Sequence, residues 1–494
     1  MLLLGIDIGT SSIKVAIVDA NTQKTLALAQ YPDTESPITS LQLGWAEQSP
    51  EMWWEHIQQA IVLCHSKGTY NPGDIAAIGI AYQMHGLVLV DKNQKLLRDS
   101  IIWCDSRAVE IGAKAFDAIG HQKCLSHLLN SPGNFTASKL AWVKANEPKI
   151  YEQIYKVMLP GDYIGMKLTG DITTSISSLS EGVFFDFVNN EISKDILNYY
   201  GFNKAMFPEI RPVFADHGHL LASMANKLGL SPGIPVSYKA GDQPNNALSL
   251  NVLNAGEVAA TAGTSGVIYG VSDQLTYDPQ SRVNTFAHVN YTEQQKSMGV
   301  LLCINGTGSL YRWTKNLFGA GESYVQMNDE AKQVPLGSDG LRILPFGNGA
   351  ERMLNNKLVG VHMQNIDLNL HSRSHIYRAV QEGIACAFRY GLDIMRENKM
   401  NPTVIRAGRA NLFLSDLFAQ SFVNMTGIPV ELYQNDGSVG AALGAGIGSK
   451  IYASPSDAFK NMHAIQLIEP NGDDVEPIYQ EWKCLLERQL LATN

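Results

Sequence analysis

Two segments roughly 250 residues apart spell nearly the same thing. The first is Gly5-Ile6-Asp7-Ile8-Gly9-Thr10-Ser11-Ser12-Ile13-Lys14-Val15 and the second is Ala259-Ala260-Thr261-Ala262-Gly263-Thr264-Ser265-Gly266-Val267-Ile268-Tyr269. In each, an apolar run meets Gly-Thr-Ser and resumes as a second apolar run, which reads as strand, tight turn, strand. The glycine admits a sharp turn and leaves room for a ligand to approach the backbone. The amides and hydroxyls of such a turn form a small nest suited to an anion. One hairpin of this kind is ordinary. Two matching ones point to a duplicated nucleotide-binding fold whose turns grip a polyphosphate from opposite sides. The copies differ where Asp7 stands against Thr261. Only the first turn brings a carboxylate, a hard oxygen ligand suited to Mg²⁺ together with phosphates.

A chain of 494 residues exceeds one core, so about two to four domains are expected. The net charge of −9 argues against nucleic acid as a partner, which would need a basic stripe. It does not oppose ATP, because local amides and Mg²⁺ handle that charge. The six cysteines (64, 104, 124, 303, 386 and 484) form no C-x-x-C pair, which favours reduced thiols and a cytoplasmic location. The opening Met1-Leu2-Leu3-Leu4-Gly5-Ile6 is short, lacks a basic region and a cleavage site, and meets Asp7, so no signal peptide is expected. With no apolar run near the length of a membrane span, no membrane partner is expected.

After the hairpin, a third strand is expected over 26–31. A helix follows from Ser49-Pro50-Glu51-Met52 to about residue 64, with Ser49 as N-cap and Pro50 in the first position. Residues 75–82 and 86–90 read as buried strands, 136–157 and 203–228 as helical, and 236–240 as a strand ending at Gly241-Asp242. The pattern restarts with strands around 257–271, 283–290 and 297–304, then a helix over 309–318. A helix over 374–399 carries Ile376, Ala379, Val380, Gly383, Ile384, Ala387, Phe388, Gly391 and Ile394 on one stripe. A strand at 404–406 and helices over 411–425 and 437–449 follow. Alternating strands and helices imply α/β lobes. The restart near residue 250 implies two lobes of similar size, 1–248 and 249–494, with ligands in the cleft between them.

The ordered set of motifs resembles the FGGY family of carbohydrate kinases along essentially the whole chain. It comprises Gly5-Ile6-Asp7-Ile8-Gly9-Thr10-Ser11, Gly44-Trp45-Ala46-Glu47-Gln48, Gln83-Met84-His85-Gly86, Ile102-Trp103-Cys104-Asp105-Ser106-Arg107, Leu159-Pro160-Gly161-Asp162-Tyr163 with Leu168-Thr169-Gly170, Gly241-Asp242 and Gly263-Thr264-Ser265-Gly266. The resemblance implies an α/β fold of two actin-like, ribonuclease-H-like ATPase lobes with a central cleft. It implies a sugar and ATP as partners, with Mg²⁺. Gln-Met-His-Gly points within the family to phosphorylation of D-xylulose at its terminal hydroxyl. Another ketose or polyol, and a catalytically silent sugar or nucleotide sensor on the same fold, stay open, as does a homodimer.

On that resemblance Asp242 is the general base. Its position at a strand end lets it take the proton of an attacking hydroxyl; the competing role is N-cap of a helix starting near Pro244. Asp7 belongs to catalysis and to the Mg²⁺ environment. Thr10, Ser11 and Ser12 line the phosphates, and Lys14 either reaches them as a point charge or is a solvated strand lysine. Met84, His85, Trp103, Asp105 and Asn246 form the sugar side. Trp103 either stacks on the sugar or fills core, and Asp105 either shapes the wall with Arg107 or forms an inconsequential ion pair. Gly263, Thr264, Gly308, Gly408 and Asn411 form the nucleotide side. Two departures from the family pattern stand out. Arg406-Ala407-Gly408-Arg409-Ala410-Asn411 keeps one glycine of the usual run, so Ala407 and Arg409 are expected to crowd or recontact the base. The stretch 173–177 lacks the usual acidic residue, and none occurs before Glu181.

Overall fold

The computed structural model describes residues 1–493. The opening apolar runs form β1 (Leu2–Ile8) and β2 (Ile13–Asp19), an antiparallel hairpin continued by β3 (Thr25–Tyr31). β4 (Ile75–Tyr82) and β5 (Val236–Gly241) join in parallel on the other side, giving the order β5-β4-β1-β2-β3. The second sheet repeats the plan. β6 (Glu257–Ala262), β7 (Gly266–Ser272) and β9 (Met298–Ile304) are antiparallel neighbours, while β10 (Val404–Gly408) and β11 (Val430–Tyr433) add in parallel beside β6. Strands β11-β10-β6-β7-β9 thus match β5-β4-β1-β2-β3 in order and direction, and β8 (Asn284–Ala287) and β12 (Gln466–Ile468) widen the two edges. The two Gly-Thr-Ser turns are corresponding corners of a repeated sheet.

Helix α1 (Pro50–Lys67) starts as expected, with Ser49 accepting from the Met52 amide, and runs one turn past residue 64. The span 136–157 is not one helix. α2 (Thr136–Asn146) gives way to a single turn at Pro148, whose missing N–H cannot continue the ladder, and then to the short strand Lys156–Met158. Within 203–228 only Ala222–Leu228 is an α-helix, since Pro208, Pro212 and Gly218 interrupt the rest. α3 (Asp242–Ser249) follows β5 directly and α4 (Gly308–Phe318) follows β9 after a short turn. α5 (Arg373–Glu397) buries the stripe from Ala379 to Ile394, with Ile376 partly covered. α6 (Asp416–Thr426) is capped by Ser415 after a short 3₁₀ turn over Asn411–Leu414. Among the described residues no helix is long and apolar enough to cross a membrane.

One packing contact ties the halves together. α7 (Gly437–Gly448) belongs to the later part of the chain yet lies against β1, β4 and β5 of the first sheet. Glycines on both surfaces permit the approach. A Cβ at Gly5 would stand 1.8 Å from Ser438 O, and one at Gly79 would stand 1.9 Å from Ala441 O. From the helix side, a Cβ at Gly448 would stand 1.8 Å from Ser237 O, and one at Gly444 would meet the Tyr238 ring at 2.7 Å. These obstacles are mostly backbone, which cannot step aside as a side-chain tip can. Gly79→Ala is therefore expected to cost at least about 1–3 kcal/mol by overpacking, read as an earlier calorimetric melt. An unchanged melting temperature would contradict this packing.

Candidate active site

The first turn is held by three of the other motifs. Thr10 Oγ1 donates to Gln83 Oε1 at 3.0 Å and accepts from the Trp103 indole N–H at 2.9 Å. Gln48 Nε2 donates to Thr10 O at 2.8 Å, while Gln48 Oε1 accepts from Gln83 and from Trp53. Gly9 N donates to Ser12 O across the turn, and Ser11 O accepts from Ser36 N. Trp103 is 53% exposed, so it is not core: its edge is spent on Thr10 and its ring faces outward. Gln48 and Gln83 lie inside quoted motifs, yet sequence reasoning gave them no role. Their amides link the turn to two loops.

Three acidic groups gather behind the turn. Asp7 lies at the end of β1, and burial followed by the nearby Asp436 pushes its pKa up to about 6. Asp436 caps α7, accepting from the Ser438 amide at 2.9 Å, and takes Lys14 Nζ at 3.3 Å. Lys14 is thus a partly exposed lysine paired to Asp436, with nothing placing it as a solitary point charge. A Cβ at Gly437 would stand 2.3 Å from Asp7 Oδ2, so the glycine makes room for that carboxylate. Asp242 is the first residue of α3 and Gly241 is the cap, so Asp242 is not the N-cap of a helix beginning at Pro244. Burial, then Asp7, raise the Asp242 pKa to about 7. No set of three ligating side chains capable of holding a metal occurs among the described residues. A donor set led by one carboxylate fits Mg²⁺ held mainly by phosphate oxygens and water.

The sugar-side loop is strained. His85 has φ +63°, an uncommon conformation for a side-chain-bearing residue. Buried Lys139 on α2 pins it, donating to His85 O at 3.0 Å and to Ile102 O at 2.9 Å. His85 Nδ1 lies 2.9 Å from Glu181 O, which makes Nδ1 the protonated nitrogen and leaves Nε2 an acceptor. Burial, then Lys139, lower the His85 pKa to about 3, so the ring is neutral. Its ring packs edge-on against Phe135 at 4.9 Å and beside Phe286 at 5.5 Å. Met84 is buried beside Gly241, where a Cβ would approach Met84 Cγ to 2.7 Å. Asn246 on α3 accepts from Asn435 Nδ2 at 2.9 Å, leaving its own amide N–H groups free to donate.

One expectation needs correction. Asp105 is fully buried and its carboxylate is consumed by the wall: it accepts from Ala46 N at 2.6 Å and from Arg107 N at 2.9 Å, and pairs with the guanidinium at 2.7 Å. Arg107 in turn pairs with Glu47 and lies 3.9 Å over the Trp45 ring. Asp105 thus shapes the wall and is not presented to a sugar. Glu181, the first acidic residue after 173–177, ends the short helix Ile176–Glu181. Glu181 Oε1 accepts from Tyr82 Oη at 2.7 Å, while Oε2 is buried without a hydrogen-bond partner, 2.9 Å from where a Gly241 Cβ would be. Burial holds its pKa well above the carboxylate range.

The second turn opens on a cavity of about 440 Å³ lined by Gly263, Thr264, Gly308 and Asn411 together with Tyr311, Tyr324, Asn328 and Leu412. Gly308 N donates to Gly263 O at 2.9 Å, and a Cβ at Gly308 would stand 2.4 Å from that oxygen, so α4 begins directly against the turn. Gly408 ends β10 near Asn435 and does not line the cavity. Ala407 is fully buried in β10, paired with Ala260, and Arg409 is exposed outside the cavity lining. Neither crowds this space. Arg406 is bound to Glu431 at 2.9 Å and Glu257 at 3.2 Å.

With this geometry in view, the family comparison is decisive. The model of the FGGY family of carbohydrate kinases, N-terminal domain, matches residues 2–249, and that of the C-terminal domain matches 258–449. The chain belongs to the FGGY family of carbohydrate kinases. As an FGGY protein it is a carbohydrate kinase with the two-lobed actin-like ATPase fold. It is 28% identical to a xylulose kinase of Escherichia coli over 92% of this chain and 90% of that protein. It is 29% identical to a xylulose kinase of Bacillus subtilis, over 92% and 89%. The solved xylulose kinase from Rhodospirillum rubrum shares the fold at a TM-score of 0.88 and 24% identity, covering 99% of both chains.

Two outcomes follow from the site. With the Asp242 pKa raised to about 7 and that of Asp7 to about 6, log kcat/KM for the sugar should fall with unit slope below pH about 7 and steepen below about 6. Because the Asp242 pKa is raised from 3.8, the folded state holds this proton more tightly than the unfolded chain, and stability is lost as pH rises towards about 7. Asp242→Asn should hence lower kcat by at least about 10²-fold while melting no earlier than the native protein at pH 8. Activity within threefold of native (on the order of half a logarithm) would contradict the assignment. Arg409→Gly, by contrast, should leave calorimetric ATP affinity within about twofold; a larger change would bring Arg409 back into the nucleotide site.

Proposed function

We propose that this kinase transfers the γ-phosphoryl group of ATP to the terminal hydroxyl of D-xylulose, giving D-xylulose 5-phosphate. The observation that carries the chemistry is the partly buried Asp242 carboxyl, directly after the end of β5 and near enough to Asp7 for that charge to raise its pKa. In this reading Asp242 takes the hydroxyl proton as the sugar oxygen bonds to the γ-phosphorus and the bond to ADP breaks. Neutral His85 accepts a sugar hydroxyl at Nε2, Asn246 donates, and Met84 covers an apolar edge of the sugar. Thr10, Ser11 and Ser12 meet the phosphates from one side, Gly263 and Thr264 from the other. The cavity lined by Tyr311 and Leu412 receives the base. Mg²⁺ near Asp7 would supply charge neutralisation on the phosphates.

Residues 1–248 then form the lobe carrying the sugar and first phosphate turn, and 249–494 the nucleotide lobe, with α7 returning to the first sheet. ATP as the donor agrees with a cytoplasmic setting. The choice of D-xylulose rests on the names of full-length relatives and on Gln83-Met84-His85-Gly86. Another ketose or a polyol is the competing substrate. A silent sensor is disfavoured because both Asp7 and Asp242 are present and near enough that the Asp7 charge raises the Asp242 pKa. A coupled ADP-release assay over a panel of ketoses and polyols should give D-xylulose the highest kcat/KM. A higher value for another sugar would replace the substrate, and no ADP release with any of them would overturn the reading.

A further inference from the structure

Arg352 has no role in the chemistry above, yet it stands beside it. It opens the short 3₁₀ turn Arg352–Leu354, in the second half of the chain. Its guanidinium makes no hydrogen bond or ion pair with any described residue. The preceding Glu351 does not neutralise it, because both Glu351 oxygens accept from Asn305 N, at 3.0 and 3.1 Å. The guanidinium lies 5.9 Å from the centre of the Phe135 ring, the same ring that packs against His85. Phe286 closes the group, with its ring 6.0 Å from Phe135. Its charge is close enough to act on His85 and on Cys303, whose thiol in turn senses Asp242. Arg352 and His85 therefore flank the same Phe135 ring.

Arg352 is only partly buried, and its guanidinium has no protein oxygen as partner. Its N–H donors are thus left open to water or to a ligand. The neighbours decide which ligand. Arg352 lies among Phe135, Phe286 and His85, and it lines neither the Gly263–Gly308 cavity nor the Thr10 turn. Aromatic walls suit the C–H faces of a sugar, and a planar fork of N–H donors suits two neighbouring sugar oxygens. We propose that Arg352 is a sugar-binding residue supplied by the second half of the chain, donating to two adjacent oxygens of the acceptor sugar. The sugar site is then built from both halves: His85 and Asp242 from the first, Arg352 from the second.

This inference rests on the sugar-kinase reading above, and the test separates the two. Sugar and ATP kinetics, with calorimetric sugar binding in the absence of nucleotide, are compared for the native protein, Arg352→Gln and Arg352→Lys. The sugar is whichever one of the ketose and polyol panel the native enzyme prefers. Arg352→Gln should raise the sugar KM and dissociation constant about tenfold to a hundredfold, the loss expected for a charged donor, with the ATP KM within about twofold. Arg352→Lys, which keeps the charge and loses the fork, should fall between. Neither variant should melt earlier, since neither removes a hydrogen bond or ion pair within the protein. Unchanged sugar affinity in both variants would overturn the inference, as would a rise confined to the ATP KM, which would assign Arg352 to the phosphates. If Arg352→Gln melts early, the residue is structural unless Arg352→Lys melts normally and still loses sugar affinity. A native protein that phosphorylates no sugar would overturn the functional reading itself, and this inference with it.

Discussion

The close approach of α7 to the first sheet is the contact on which the rest of the site depends. Gly5 and Gly79 on the sheet, with Gly444 and Gly448 on the helix, let backbone pack on backbone. That depth sets where the helix begins. Its capping Asp436, the space above Gly437 and the preceding Asn435 then fall beside Asp7 and Asn246. A segment from the end of the chain thus completes an acidic site whose other members come from residues 7 and 242. Larger side chains at the glycines would lift the helix and move three contacts at once.

The acids assembled this way are poorly compensated. Glu181 is buried and Asp7 and Asp242 partly so, burial raises the pKa of all three, and Lys14 beside Asp7 pairs with Asp436. Such an arrangement costs stability and is explained by what it does: a carboxylate that is reluctant to ionise is a better proton acceptor near neutral pH than an ordinary one. The strained His85 belongs to the same economy. Its unusual backbone is held by Lys139, and its protonated Nδ1 is fixed by the Glu181 carbonyl, so that Nε2 is left as an acceptor.

Much of this was legible from residue order, because the decisive features are local. A Gly-Thr-Ser corner between two apolar runs must be a strand turn, and finding it twice revealed the repeated sheet. Asp242 just past a strand end followed from the same logic. What stayed hidden depends on which way a side chain turns. Asp105 points into the wall because Arg107 and the Ala46 amide claim its oxygens, and Asp105-Ser106-Arg107 reads identically whether it faces in or out. Ala407 continues a buried strand whose end is set by pairing with Ala260, a partner about 150 residues away. Glu181, Gln48 and Arg352 matter through contacts across the fold, which no local periodicity encodes. The span 203–228 misled because its apolar residues recur at helical spacing while its prolines prevent a helix over most of it.

The central claim is that both turns hold one nucleotide against a sugar whose attacking oxygen meets Asp242. A crystal structure of Asp242→Asn with Mg²⁺, a non-hydrolysable ATP analogue and D-xylulose tests it most directly. The account predicts the terminal sugar oxygen at hydrogen-bond distance, about 3 Å, from the side chain at position 242. That oxygen should lie in line with the γ-phosphorus, with the phosphates touching both the Gly9-Thr10-Ser11 and Gly263-Thr264 turns and the base in the cavity beside Tyr311. A nucleotide bound to one turn alone, or a sugar whose terminal oxygen lies away from position 242, would contradict it.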